Sequence, residues 1–301
     1  MTSRFAIRPT SPFRLDLTAW TLRRSLNNRI DDWDGTTYRR VLTLGPRAVA
    51  VSVRQERGRL EVVAQTAGRV PGLEEGVSGA LEQMLGLRTD LQPFDDLAAH
   101  DRQLRALVDR FRGVRPPRFP TVFEGLLNAI SCQQLSLAAG LTILSRLSAR
   151  FGLAAADGDR HACPRPEDLA RRRSTSIRTA GYSQAKARAL LAAARAALRG
   201  TVDLEGLTAA DEETALARLR ALPGVGRWTA EYVLLRSLGR LNVFPANDVG
   251  AAHGLRRWLG VRRPLGYDDV RRLLEPWRPW AGLVYFHLLL DGLDRAGLLK
   301  R

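Results

Sequence analysis

The sequence predicts an α+β domain over residues 1–98, followed by an all-α bundle over residues 99–301. Three observations support this fold class. Apolar residues alternate along 48–53 and 60–64, which is typical of half-buried strands. Beyond about residue 98 the alternation gives way to apolar spacings of three and four, which are typical of helices. A chain of 301 residues is also longer than most single domains.

The first domain is predicted to contain an antiparallel sheet. The two alternating segments flank Glu56-Arg57-Gly58, which predicts a hairpin turn between two strands. Residues 40–44 predict a third strand, because they precede the Gly45-Pro46 turn. Short helices are predicted over 20–26 and 76–86. A sheet with a few helices beside it is the layered arrangement of a small α+β domain.

The second domain is predicted to consist of helices. Thr121 and Glu124 have the spacing of a capping box, in which each side chain bonds the backbone N–H of the other residue. The apolar residues that follow recur at helical spacing and predict a buried helix face. Residues 153–167 are rich in Ala, Gly, Asp and Pro and predict a loop. Further helices are predicted over 184–198, 212–222, 268–275 and 280–291.

Composition limits the classes of function. The chain has 47 Lys and Arg against 31 Asp and Glu, and this formal charge of +16 favours a polyanionic partner such as nucleic acid. Its two cysteines, Cys132 and Cys163, are too few for a four-cysteine iron–sulfur cluster or zinc site. No apolar run reaches the roughly 18 residues that span a bilayer, and the first residues lack the apolar segment of a secretory signal. We therefore expect a cytoplasmic protein with no membrane partner.

The string Leu-Pro-Gly-Val-Gly at 222–226 stands between two predicted helices. Pro223 ends the first helix, and both glycines are expected to permit positive φ and to let a phosphate reach bare backbone amides. The second helix begins here, so its free N–H groups and its dipole favour an anion at the same place. The alternative is a plain turn between helices. We expect DNA contacts from Gly224, Val225, Gly226, Arg227 and Thr229.

A carboxylate follows the hairpin, 22 residues after Gly226. Asp248 lies in the string Val-Phe-Pro-Ala-Asn-Asp-Val-Gly, directly before a predicted helix. An Asp in this position is usually an N-cap, which is the alternative to a catalytic role. The two roles are compatible, because a helix N-terminus favours the ionised carboxylate that a catalytic anion requires.

These segments resemble the helix-hairpin-helix, Gly/Pro-rich, catalytic-Asp (HhH-GPD) superfamily of DNA glycosylases, and within it the DNA-3-methyladenine glycosylase II branch. The first 98 residues match the extra domain of that branch, which has a TATA-binding-protein-like antiparallel sheet. The resemblance implies that 99–301 forms two helical subdomains with the active-site cleft between them. Agreement in order and spacing extends over 123–147, 166–169, 181–198 and 275–287.

The resemblance also assigns roles to single residues. Asp248 corresponds to the catalytic aspartate, and Trp228 and Tyr232 correspond to aromatic walls of a base pocket. Trp20 is a further candidate for a pocket wall, with core packing as the alternative. Leu289 stands where the branch carries a pocket tryptophan, so the range of accepted bases is open.

Other correspondences concern DNA and ions. Gln133 and Gln134 fall at the wedge that separates the strands. The backbone carbonyls of Arg220, Leu222 and Val225 correspond to a structural Na⁺ or K⁺ site in the hairpin. The resemblance implies no cofactor for catalysis and no iron–sulfur cluster.

The implied function is a monofunctional DNA glycosylase of base excision repair that acts as a monomer on double-stranded DNA containing damaged bases. It would flip out alkylated purines of the 3-methyladenine and 7-methylguanine type and hydrolyse the N-glycosidic bond. Lyase members carry a lysine where this chain has Trp228, so no Schiff base with the sugar is expected. The alternatives are a non-catalytic helix-hairpin-helix protein that binds DNA damage, or a glycosylase for deaminated or oxidised bases.

Overall fold

The computed structural model describes residues 1–299. Five strands, all in the first quarter of the chain, are β1 (Thr2–Ile7), β2 (Asp32–Trp33), β3 (Thr37–Leu44), β4 (Arg47–Glu56) and β5 (Arg59–Gln65). The α-helices are α1 (Leu15–Arg23), α2 (Leu73–Met84), α3 (Gln92–Ala99), α4 (Arg102–Arg110), α5 (Val122–Cys132), α6 (Leu137–Phe151), α7 (Pro166–Ala170), α8 (Ser174–Arg178), α9 (Gln184–Arg199), α10 (Glu212–Arg220), α11 (Arg227–Arg236), α12 (Val249–Trp258), α13 (Tyr267–Leu273) and α14 (Ala281–Arg295). Short 3₁₀ turns lie at Glu205–Ala209 and Glu275–Trp277.

The strands form one antiparallel sheet in the order β1-β5-β4-β3-β2, which confirms the predicted fold class. The three predicted strands correspond to β3, β4 and β5. The prediction missed β1 and β2, because β1 is an exposed edge strand and β2 has only two residues. The inner face of β4 and β5 is buried against α1 and α2, as the alternation indicates.

Two predicted helices in the first domain are displaced along the sequence. The helix expected over 20–26 is α1, which ends at Arg23 because Arg24 adopts the left-handed conformation with φ of 57°. The helix expected over 76–86 is α2, which ends before Gly86, where φ is 62°. In both cases the hydrophobic spacing located the helix but not the residue at which it begins.

Helix α5 begins differently from the predicted capping box. Thr121 Oγ1 accepts the Glu124 N–H at 3.0 Å, as predicted. The Glu124 carboxylate instead bonds the guanidinium of Arg40 on β3, and Arg40 also bonds Asp31 at 2.7 Å. All three charged side chains are buried, and a buried charge without a partner is costly. Pairing with Arg40 therefore replaces the second half of the box, and that half of the prediction is wrong.

Two large hydrophobic cores organise the molecule. One joins the inner face of the sheet to α1–α4 and α12–α14, so the two ends of the chain share a core. The other joins α5–α11. Helix α11 contributes to both, through Leu235 in the first and Val233 in the second, and therefore lies at their junction. Within residues 1–299, no helix is both long and apolar enough to cross a membrane. A domain boundary at 98 stays a prediction.

Candidate active site

The hairpin joins α10 to α11, and its two glycines differ in conformation. Gly224 has φ of 79°, and a Cβ there would lie 2.5 Å from the Ala189 Cβ, so this position requires glycine. Gly226 has φ of −84° and is the N-cap of α11. Gly224 thus uses the positive φ that glycine permits, whereas Gly226 does not, because an N-cap residue takes extended backbone. A Cβ at Gly226 meets no atom within 4 Å, so the bare backbone there faces open space.

The α5–α6 loop is bonded to this hairpin. Gln133 Nε2 donates to the Gly224 carbonyl and to Thr229 Oγ1, each at 2.9 Å. Gln134 has φ of 54° and is exposed beside the hairpin. Val225 and Thr229 are buried, and the Val225 N–H already donates to the Leu222 carbonyl, so among the predicted DNA contacts these two present no exposed side chain. The predicted wedge and the predicted phosphate grip thus form one surface.

Asp248 is the N-cap of α12, and its Oδ1 accepts the Ala251 N–H at 2.9 Å. The capping role considered from the sequence is therefore present. The other oxygen, Oδ2, accepts the Trp228 indole N–H at 3.4 Å. The side chain is half-buried, so one carboxylate oxygen is held by the helix while the other faces an aromatic residue of α11.

Aromatic side chains extend inward from Asp248. The Trp228 and Tyr232 rings lie 5.6 Å apart, and Tyr232 in turn lies 6.2 Å from Phe119. Trp228 is half-buried and Tyr232 is fully buried. The structure therefore brings three predicted site residues, Asp248, Trp228 and Tyr232, into one continuous group, with Trp228 as the member that faces solvent.

Arg24 and Asn128 were not predicted as members of this group. Arg24 Nη1 donates to the Tyr232 hydroxyl at 2.6 Å, and Nη2 donates to Asn128 Oδ1 at 2.9 Å. The Tyr232 hydroxyl donates to the same Asn128 oxygen at 3.1 Å. Arg24 is buried although it lies in the first domain, far from α11 in sequence. No local pattern marks such a residue, because arginine is ordinarily exposed.

Burial and charge set the proton affinities around the carboxylate. Burial raises the pKa of Tyr232, although the adjacent Arg24 charge opposes this. Burial also raises the pKa of Tyr285, and the Asp248 charge adds to the effect. The same two causes raise the pKa of the Cys132 thiol, which Arg24 and Lys186 partly offset. These three groups are neutral at pH 7, and the charges that act on them are those of Asp248, Arg24, Arg236 and Lys186.

A family model described as HhH-GPD superfamily base excision DNA repair protein matches residues 127–279. This match covers half of the chain and includes the hairpin and Asp248. The chain belongs to the HhH-GPD superfamily. The prediction made from the hairpin and the Asn-Asp string is thereby confirmed at the level of the family.

Individual proteins that are similar to this chain support the same family. The chain is 28% identical over 210 residues to DNA-3-methyladenine glycosylase of Bacillus subtilis, a match that spans 69% of each protein. It is 30% identical over 177 residues to DNA-3-methyladenine glycosylase 2 of Escherichia coli, across 58% of this chain and 60% of that protein. Among solved structures, the 3-methyladenine DNA-glycosylase from Archaeoglobus fulgidus superposes with a TM-score of 0.83 at 27% identity, over 97% of this chain and 98% of the other.

Two other predicted pocket residues lie in the core of this HhH-GPD protein. Trp20 on α1 is buried in the core that the sheet shares with the C-terminal helices, which is the packing role considered from the sequence. Leu289 on α14 is half-buried and packs against the same core. Their places in a base pocket stay predictions.

The hairpin carbonyls have the chemistry that a monovalent cation requires. The Leu222 carbonyl accepts the Val225 N–H at 3.1 Å, which leaves one lone pair. Arg220 ends α10, so its carbonyl is among the last four of a helix and lacks an intrahelical partner. Among the bonds between described residues, none is accepted by the carbonyls of Arg220 or Val225. Oxygen donors of this kind fit Na⁺ or K⁺, and the cation stays a prediction.

Proposed function

We propose that the protein is a monofunctional DNA glycosylase that removes alkylated purines from double-stranded DNA. The substrate class would include 3-methyladenine, as the names of the similar glycosylases suggest, and 7-methylguanine, which is a cationic purine of the same kind. The observation that carries the proposal is the Asp248 carboxylate, with one oxygen fixed by α12 and the other beside Trp228. A protein that only binds DNA damage has no need of a carboxylate held in this way.

Asp248 would act on the sugar. Alkylation at N3 of adenine or N7 of guanine leaves the purine cationic, so the base departs with little acid assistance. The charge then develops on the sugar as an oxocarbenium ion, which a fixed carboxylate stabilises. The same carboxylate would orient the attacking water. The Ala251 N–H at the start of α12 holds one oxygen of this carboxylate, and the positive end of the helix dipole faces it.

Trp228 would recognise the flipped base. A cation over an aromatic face gains about 0.5–2 kcal/mol, which favours a charged purine over a neutral one. Trp228 also occupies the position at which lyase members carry their lysine, so no amine is available there for a Schiff base. The expected products are a free base and an intact abasic strand.

The experiment is single-turnover release of methylated purines from duplex DNA by wild type and Asp248→Asn. Asparagine keeps the oxygen that accepts the Ala251 N–H and is an equally good N-cap, so the fold is preserved while the charge is lost. We expect release to fall about 100-fold or more. Equal release by both proteins would refute the catalytic assignment. Tight binding of damaged DNA with no release by either protein would favour the non-catalytic alternative.

One observation favours a second substrate class, deaminated bases such as hypoxanthine. Arg24 has five N–H groups, and its bonds to Leu22, Tyr232 and Asn128 among the described residues use three of them. The carbonyl oxygen of hypoxanthine is an acceptor for such a donor, whereas 3-methyladenine has no carbonyl oxygen.

The second class is tested by Arg24→Met. We expect this variant to lose more hypoxanthine release than 3-methyladenine release in single-turnover assays with matched duplexes. Equal losses for both bases would mean that Arg24 only supports Tyr232 and Asn128. A circular-dichroism melt of each variant controls for folding.

A further inference from the structure

Five large apolar side chains are exposed among residues 1–299, and three of them surround the candidate active site. Leu26, Leu135 and Val249 are 49%, 46% and 84% exposed. The other two are Met1 and Leu198, which is 47% exposed near the end of α9. An isolated exposed leucine is ordinary on a protein surface. The position of these three next to site residues is what requires an explanation.

Leu26 lies two residues beyond Arg24, in the loop that follows α1. Hydrogen bonds fix this loop along α6: Asn27 Nδ2 donates to Thr142 Oγ1 at 3.2 Å, and the Arg29 N–H donates to Ser145 Oγ at 3.1 Å. Leu26 is therefore presented by a loop that is fixed along the middle of α6, the helix whose N-terminal end adjoins the hairpin surface.

Leu135 lies at the N-terminal end of the same helix. It follows Gln134, and Ser136 caps α6 by accepting the Ala139 N–H. The preceding Gln133 bonds the hairpin, so Leu135 is anchored on both sides while its own side chain stays exposed.

Val249 is the third exposed aliphatic residue beside the site. It is the first residue of α12, adjacent to Asp248, whose carboxylate lies against Trp228. Three separate segments thus each place one exposed aliphatic side chain within two residues of Arg24, Gln134 or Asp248.

We propose that Leu26, Leu135 and Val249 form an apolar rim that contacts the unstacked bases and sugars beside a flipped nucleotide. This inference rests on the proposed function. Flipping a nucleotide exposes the apolar faces of its neighbours to water, and phosphate contacts do not cover those faces. Apolar side chains inserted at unstacked steps do cover them. The rim therefore adds affinity only for DNA in which a nucleotide has left the stack, whereas the hairpin and the positive charge bind any duplex.

The test compares affinity for two duplexes of one sequence, one undamaged and one with a tetrahydrofuran abasic analogue at its centre. The variants are Leu26→Ala, Leu135→Ala and Val249→Thr, with Leu198→Ala as the control of matched exposure. We expect each rim variant to bind the tetrahydrofuran duplex roughly threefold to tenfold more weakly. Affinity for the undamaged duplex, its salt dependence and the melting temperature should match those of Leu198→Ala, because all four side chains are exposed.

Three results would overturn the rim. The first is rim variants that do not differ from Leu198→Ala. The second is a loss of affinity confined to Leu135→Ala. The third is an equal fall in affinity for both duplexes. Failure of the proposed function would show in a different measurement, because the wild-type protein would then release no methylated purine. The affinity comparison needs no base release, so the two failures are distinguishable.

Discussion

Arg227 is held in place by two residues of the protein itself. Its Nε donates to Glu231 Oε1 at 3.1 Å, and its guanidinium lies 4.6 Å from the centre of the Tyr267 ring. The Tyr267 hydroxyl donates to the same Glu231 oxygen at 2.7 Å. The outer part of Arg227 stays exposed beside Gly226, so the side chain is ordered in advance for a phosphate.

We expect Tyr267→Leu to weaken DNA binding about threefold, because the guanidinium loses an aromatic contact of about 0.5–1 kcal/mol. Tyr267→Phe is the matched control, since it keeps the ring and loses only the hydroxyl. The slope of log affinity against log salt should be unchanged in both, because Arg227 keeps its charge, whereas Arg227→Ala should reduce the slope by about one. Fluorescence anisotropy across a salt series measures all three. A steeply altered slope in Tyr267→Leu would contradict this positioning role.

For single residues, the sequence predicts a role correctly when that role depends on residues nearby in the sequence. Asp248 is identifiable because the residues directly around it predict both the turn before it and the helix after it. Arg24 is not, because its burial depends on Tyr232 and Asn128, which lie more than 100 residues away. Glu124 is an intermediate case, since its local capping pattern is overridden by Arg40 from the sheet.

The hairpin between α10 and α11 contains two glycines with different roles. Gly224 is required by the structure, whereas Gly226 leaves space for a ligand. Gly224→Ala places a Cβ against Ala189 at a positive φ, so we expect a loss of about 1–3 kcal/mol in the free energy of unfolding. At Gly226 an added Cβ meets no protein atom within 4 Å and φ is ordinary, so Gly226→Val should cost less, about 0.5–1 kcal/mol, because valine is a poorer N-cap than glycine. Its side chain would instead occupy the space that a phosphate needs.

Gly226→Val should therefore weaken binding to duplexes of every sequence alike. Urea unfolding and DNA titration on both variants measure the two effects separately. Sequence-selective loss of affinity in Gly226→Val would argue against a grip through the backbone. Full affinity in that variant would show that no phosphate approaches Gly226.

Burial and tertiary contacts explain which elements were predictable from the sequence. Strands β4 and β5 alternate because one face of each is buried, whereas β3 is buried on both faces and is predicted only from the Gly45-Pro46 turn that follows it. Strand β1 has most of its residues exposed, so its pattern carries little information. The two glycines of the hairpin look equivalent in the sequence, and only the contact with Ala189 on α9 distinguishes them.

His287 connects α14 to the rest of the first core and makes the whole molecule sensitive to pH. Its ring packs 5.4 Å from Phe94 and 6.5 Å from Phe111, and Nδ1 bonds the Leu283 carbonyl at 2.8 Å. Burial lowers its pKa from 6.5 to about 4. Between these values the unfolded chain binds a proton that the folded protein does not, so folding stability falls as the pH falls from about 6.5 to 4.

The contribution of His287 to this loss is at most about 3 kcal/mol. We expect urea unfolding of wild type to show a smaller free energy at pH 5 than at pH 7.5. His287→Leu, which cannot bind a proton, should show a correspondingly smaller difference between the two pH values. An identical pH dependence in both proteins would exclude His287 as its source.

The core that is shared by both ends of the chain has a consequence for biosynthesis. The sheet and the helices α1 and α2 that cover it are made first, but the core they belong to is complete only when α14 packs on α1, about 230 residues after β4. At typical rates of translation this is a wait of roughly 10–50 s. The α5–α11 segment has its own core and is made in between, so it is able to close first. A nascent chain therefore leaves the side of α1 that α14 covers exposed for most of its synthesis, and a chaperone would have this apolar surface to protect during that interval.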